Sequence, residues 1–198
     1  MINKLREEFN SNFTVEKYNN YLSLIEKDLP EGSLTFRIGE TPIFIDKGFK
    51  EKLLNACESI VDIIVDPEFI KNSAKAIPKN LEVPNDKKFS EFIVFDYGIC
   101  ENEQGELEPQ LIEMQGFPSL FCFQAYQDLM AKKSFDIPDN FSVFLNEYNQ
   151  EKYIKALKKI IIGNQNSENV VLLEILPHEQ KTKIDFYCTQ KLFDYKSY

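Results

Sequence analysis

The sequence is poor in the residues that common catalytic motifs require. It has one histidine, His178, and seven glycines, none of them clustered. Neither GxGxxG nor GxxxxGK[ST] occurs, so a glycine-rich phosphate loop is excluded. No G-x-S-x-G elbow is present, and a lone histidine gives a hydrolytic triad no support. The four cysteines, Cys57, Cys100, Cys122 and Cys188, include no C-x-x-C pair, and with one histidine a zinc site has little to build on. Each cysteine sits among apolar neighbours, which reads as buried free thiols in a reducing compartment. No Lys/Arg run exceeds two residues, and the formal net charge is -9. A polyanion such as nucleic acid has no basic patch to meet, and an anionic membrane has none either. The start, "MINKLREEFN", carries no apolar signal core, and no 18-residue apolar run occurs. The expectation is a cytoplasmic protein with no nucleic-acid or membrane partner.

What remains has an ordinary globular composition. At 198 residues the chain can bury roughly 70% of its unfolded surface, so it needs no disulfide staples. Residues 1–29 read as helix, with Val15, Tyr18, Leu22 and Ile25 on one apolar face and Pro30-Glu31-Gly32 as the stop. The expected organisation is a helical segment over 1–30 and an α/β unit over 31–198. In the latter, "TPIFI" (41–45) is extended, and 49–65 is a helix with Leu53, Leu54, Cys57, Ile60, Val61 and Ile64 as its stripe, stopped by Asp66-Pro67. Residues 71–90 read as loop, 121–133 as a helix entered through Pro118, and 147–162 as a helix with Tyr153, Leu157, Ile160 and Ile161 inward. "NVVLLEI" (169–175) suits a parallel strand buried on both faces. A helix over 182–193 follows, with Thr182 as its cap. Alternating strands and helices give the fold class: α/β, a mixed sheet with flanking helices.

Two places could carry chemistry. "FIVFDYGIC" (92–100) and "QLIEMQ" (110–115) flank "ENEQGELEP", where Gln104-Gly105 suits a tight turn. Antiparallel pairing about that turn puts Asp96 opposite Glu113, and the period of two places Asp96, Glu113 and Gln115 on one face. Two carboxylates and an amide oxygen suit Mg²⁺. An inert, solvated polar sheet face is the other reading, and both stay open. The second place is "PHEQKT" (177–182), at the carboxyl end of the expected buried strand, where open α/β sheets bind ligands. An ordinary βα loop is the alternative there.

"FIVFDYGICENEQGELEPQLIEMQGFPSL" and "NVVLLEILPHEQKTKIDF" together resemble eukaryotic-type glutathione synthetases and glutathionylspermidine synthase-like proteins, which are ATP-grasp ligases. The resemblance covers roughly residues 90–190 and implies a pre-ATP-grasp and substrate-binding region. It implies that Glu113 and Gln115, with Asp96 beside them, hold magnesium next to ATP phosphates. It assigns Ser119, Gln180 and Thr182 to a small-molecule or peptide-like substrate. The family's phosphate-binding lysine, glycine-rich lid and further acidic ligand have no counterpart in these 198 residues. The implied role is the amino-terminal, substrate-side part of a carboxylate–amine ligase, inactive alone and completed by a carboxyl-terminal half; no catalytic residue is assigned. The alternatives are a non-catalytic module for a small anionic or peptide-like ligand, and an interaction protein that docks a partner.

Overall fold

The computed structural model describes residues 2–85, 90–116 and 119–193. Among them are seven α-helices and one two-stranded antiparallel sheet, a mixed α/β composition. The chain divides by its contacts into two compact units: Met1–Asn3 with Ile43–Pro118, and Lys4–Pro42 with Ser119–Tyr198. The expected helix entry through Pro118 lies outside the described residues.

The first unit is built from two helices and the sheet. α3 (Lys47–Ile64) starts at Asp46, whose carboxylate accepts from the Phe49 N–H at 2.8 Å. That bond holds the Asp46 carboxyl below the usual carboxylate range. Asp66-Pro67 ends α3, as expected, and also begins α4 (Pro67–Ser73). Asp66 accepts from the N–H groups of Glu68 and Phe69, and Pro67 lacks only an N–H that a first turn leaves unpaired. The expected loop over 71–90 therefore begins as the last turn of a helix. β1 (Val94–Glu101) pairs with β2 (Leu107–Gln115). An isolated hairpin is marginal in water. Here α3 packs on β2, with its Cys57 beside Tyr97 on the face that also carries Phe95, Leu111 and Met114.

The second unit is helical. One helix was expected over 1–29, but two form: α1 (Asn3–Asn12) and α2 (Val15–Glu26). Thr14 separates them. Its backbone is extended, and its hydroxyl accepts from the Lys17 N–H at 3.1 Å, a cap that starts a new helix. Val15, expected on the apolar stripe, is 67% exposed; Tyr21 and Ile25 are the buried residues of α2. α5 (Phe121–Ser134) packs on α2 and on α7 (Ile184–Leu192). α6 (Gln150–Ile161) contributes Leu157 to the interior and anchors through the Tyr153 hydroxyl, which donates to the Phe121 carbonyl at 3.1 Å. Ile160, expected inward, is 41% exposed.

The run at 169–175 is the main correction. It forms no strand: residues 171–174 have no regular structure, and Val171, Leu173 and Ile175 are each more than three-quarters exposed. An apolar run becomes a buried strand only if a neighbouring strand meets its N–H and C=O groups, and none does among the described residues. The expected mixed sheet is thus a two-stranded antiparallel hairpin.

Candidate functional site

The hairpin brings the first set of predicted residues together. Asp96 pairs with Glu113 and Val94 with Gln115, so Asp96, Glu113 and Gln115 share a face, as the alternation requires. The route differs from the expected two-residue turn. The Asn102 N–H donates to the Glu106 carbonyl at 2.9 Å across a three-residue loop, with Gly105 at φ +78°. That conformation favours glycine, and it closes a common hairpin type. The loop alone would put Asp96 opposite Ile112. A bulge between Asp96 and Tyr97 leaves Ile112 unpaired and restores the Asp96–Glu113 pair. Two one-residue irregularities therefore cancel, and the acidic pair forms. Asn102 stiffens the loop further: its carboxamide oxygen accepts from the Gln104 and Glu106 N–H groups, and its amide donates to Glu108.

On this face the Gln115 amide donates to Glu113 Oε1 at 2.5 Å. Its NH₂ is turned to the carboxylate, which leaves the Gln115 oxygen for other partners. The donor set is all oxygen, which matches the preference of a hydrated Mg²⁺ ion; Asp96, Glu113 and Gln115 are the residues that would hold one. No cluster of three or more His, Cys, Asp or Glu positioned for a metal occurs among the described residues, so the protein alone supplies too few ligands for a closed cage.

Ser119, Gln180 and Thr182 belong to the second unit. Ser119 is half-buried, one residue before Leu120, which takes a left-handed conformation at the start of α5. The Gln180 amide donates to the Ile175 carbonyl at 3.1 Å and ties its own loop together. Thr182 does not cap α7. The helix begins after Lys183 without a side-chain cap, and the Thr182 carbonyl accepts from the Asp185 N–H at 2.9 Å. The reason for placing a ligand at Gln180 and Thr182 was a buried strand ahead of them. Among the described residues 169–175 form no strand, so no strand end places a ligand at Gln180 and Thr182.

The residue that sequence reasoning passed over is Asp185, in the first turn of α7. Its carboxylate accepts from the Phe123 N–H at 2.7 Å, and the N–H groups of Leu120, Phe121 and Cys122 also interact with it. It caps α5 from 62 residues away, so no local signature marks it. An internal carboxylate thus fills the anion position at this helix start. Burial pushes its pKa above the usual carboxylate value, against the pull of the four amides. Around it, burial also pushes the Cys122 thiol up to about 11 and the Tyr153 phenol up to about 12. These thiol and phenol groups stay neutral at ordinary pH, which suits packing better than nucleophilic chemistry.

All four cysteines are free. Cys122 and Cys188 are buried, as expected; Cys57 is half-buried and Cys100 is exposed. No helix among the described residues is long and apolar enough to cross a membrane. No protein-family model, no curated protein and no solved structure matches the chain.

Proposed function

We propose that this chain is the substrate-side part of an ATP-dependent carboxylate–amine ligase of the ATP-grasp type. The observation that carries the reading is the Asp96–Glu113 pair with Gln115 on the same hairpin face. An all-oxygen set of this kind suits Mg²⁺ bound to nucleotide phosphates, where water and phosphate oxygens complete six ligands. In the reaction a substrate carboxylate attacks the γ-phosphorus of ATP, and ADP leaves. An amine nitrogen then attacks the acyl carbon of the acyl phosphate, and inorganic phosphate leaves. A magnesium ion bound there would supply the positive charge that the transferring phosphoryl group calls for. Glu113 and Gln115 would hold and orient it, and Asp96 would set the charge beside it.

A second observation supports an assembly in which other residues clamp the nucleotide. The first unit leaves ten large apolar side chains exposed, among them Val83 and Ile112 at 67% and 70%. Such side chains fit a surface that a complex would cover. The same observation favours the second reading, an interaction protein whose first unit docks a partner without chemistry.

Calorimetric titration with Mg-ATP, beside a phosphate-release assay with mixed amines and carboxylates, separates the readings. On the ligase reading the chain alone binds Mg-ATP with a dissociation constant of roughly millimolar, about -4 kcal/mol, and releases no phosphate above background. The Glu113→Ala variant loses even that binding. Micromolar binding by the chain alone would mean a complete nucleotide site and would overturn the assignment as a part. Binding unchanged by Glu113→Ala leaves the docking reading.

A further inference from the structure

The second unit contains a cavity of about 450 Å³, a size that suits a small organic ligand. Its apolar wall is made by Tyr21, Phe135, Ile38 and Ala131. Tyr21 and Phe135 are themselves buried, and their rings meet edge to face with centroids 5.5 Å apart. Its polar wall is made largely by α5. Gln124, Gln127 and Asp128 follow steps of three and one, with Ala131 three further on, so one helix face is turned to the cavity. Glu40 and Thr41 of the 38–42 segment also line it. The Tyr18 hydroxyl fixes this segment by donating to the Ile38 carbonyl at 2.6 Å.

The charges on the lining are of one sign. Glu40 and Asp128 line the cavity, and no lysine, arginine or histidine does. Burial pushes the Tyr21 phenol up to about 12, so it stays neutral, and it shares a hydrogen bond with Gln127. Asp128 is mostly shielded, its side chain 12% exposed, and Lys132 reaches its Oδ2 at 2.9 Å from outside the lining. Glu40 pairs with Arg37, whose side chain is 80% exposed. The Arg37–Glu40 pair faces solvent and contributes little, so a ligand cation can replace it; at Asp128 Lys132 bonds Oδ2, which leaves Oδ1 for the ligand. An apolar aromatic wall beside a shielded carboxylate suits an organic cation: the rings meet its body and the carboxylate fixes its N–H groups.

We propose that this cavity binds a small organic ammonium compound, with the ammonium on Asp128 and an aryl or alkyl body against Tyr21 and Phe135. The proposal stands on the second unit alone and does not depend on the ligase reading. An anion of the same shape would meet two carboxylates and no positive group on the lining, so it is rejected.

The test uses the full ¹⁵N-labelled chain titrated with 2-phenylethylamine, 2-phenylethanol and phenylacetate. The amine should shift the resonances of Ala131 and the Gln127 side-chain amide and raise the Tm. It should bind about tenfold tighter than the alcohol, the margin of a charge-assisted contact, and the acid should not bind. Asp128→Asn should bring the amine down to the affinity of the alcohol. Ala131→Leu, which puts a bulkier side chain on the lining and keeps every charge, should weaken binding of both, and it decides the matter if Asp128→Asn fails to fold. Equal binding of amine and acid, amine shifts elsewhere than the cavity, or no binding of the amine at millimolar concentration would each overturn the proposal.

Discussion

The two units bury their apolar residues very differently. Sixteen apolar residues are buried among those described, and only Phe44 and Phe49 belong to the first unit. The second unit has a continuous interior in which Ile25, Ile184 and Cys188 have no exposed surface. The first unit leaves the stripe of α3 half-buried and Ile63, Val65, Leu81 and Ile112 more than half exposed. Stability comes mainly from apolar area taken from water. The second unit therefore holds most of the apolar burial among the described residues, and the first leaves more apolar surface in water. The polar face with Asp96, Glu113 and Gln115 lies on the weaker unit, where opening costs least.

Core truncation should separate the units most clearly. Ile184→Ala should cost about 3 kcal/mol by leaving a cavity in a tight interior. Ile112→Ala, at an exposed bulge, should stay within about 0.5 kcal/mol. Urea unfolding of the two variants measures both, and equal costs would break the comparison.

The next effect belongs to Asp185. Replacing it by Ala strips the Phe123 N–H of its acceptor and the start of α5 of its buried carboxyl, and should cost about 2 kcal/mol. Asp185→Asn keeps one acceptor oxygen and should cost less. The pH dependence has a definite sign. Burial raises the Asp185 pKa in the folded state, so the folded state holds its proton more tightly than the unfolded chain does. This group's contribution is full below the unfolded value near 3.8 and is lost as pH rises through the raised folded value. The difference in Tm between the parent chain and Asp185→Asn, followed from acid to neutral pH, should show that fall, because carboxylates such as Asp46 act with the opposite sign in both chains.

A smaller effect probes the first unit. Gly105→Ala places a Cβ at φ +78° and should cost about 1 kcal/mol, read as faster amide exchange across β1 and β2 with α5 and α7 unchanged. Exchange that speeds up in both units together would show that they unfold as one. The smallest effect is at Tyr97. Its hydroxyl is buried beside the Cys57 thiol without a hydrogen bond of good geometry. Tyr97→Phe should change stability by less than about 0.5 kcal/mol or raise it slightly, because no bond is lost and one desolvated group is removed.

Local chemistry was legible along the chain, and non-local chemistry was not. Asp66-Pro67 declared a helix boundary, and Gly105 declared a turn. The Thr14 cap was equally local, a threonine with its Lys17 N–H three residues on, yet the apolar spacing through Val15 hid it. Gln124, Gln127 and Asp128 look like a solvated helix face, and only the packing of α2 and the 38–42 segment turns that face into a cavity wall.

The sequence by itself determined most of the helical segments, though neither the break at Thr14 nor α4, and that Asp96, Glu113 and Gln115 share a face, because helix signals and strand alternation act over a few residues. Even there, the pair opposite Asp96 depended on a three-residue loop and a bulge at Ile112 that offset each other. Tertiary structure alone decided the fate of 169–175, since a strand exists only where another strand meets its hydrogen bonds. It alone decided the role of Asp185, whose partners lie 62 residues away and are found by packing. It alone left one unit with an interior and the other with apolar surface, since burial depends on what faces a side chain in space and leaves no local mark on the chain.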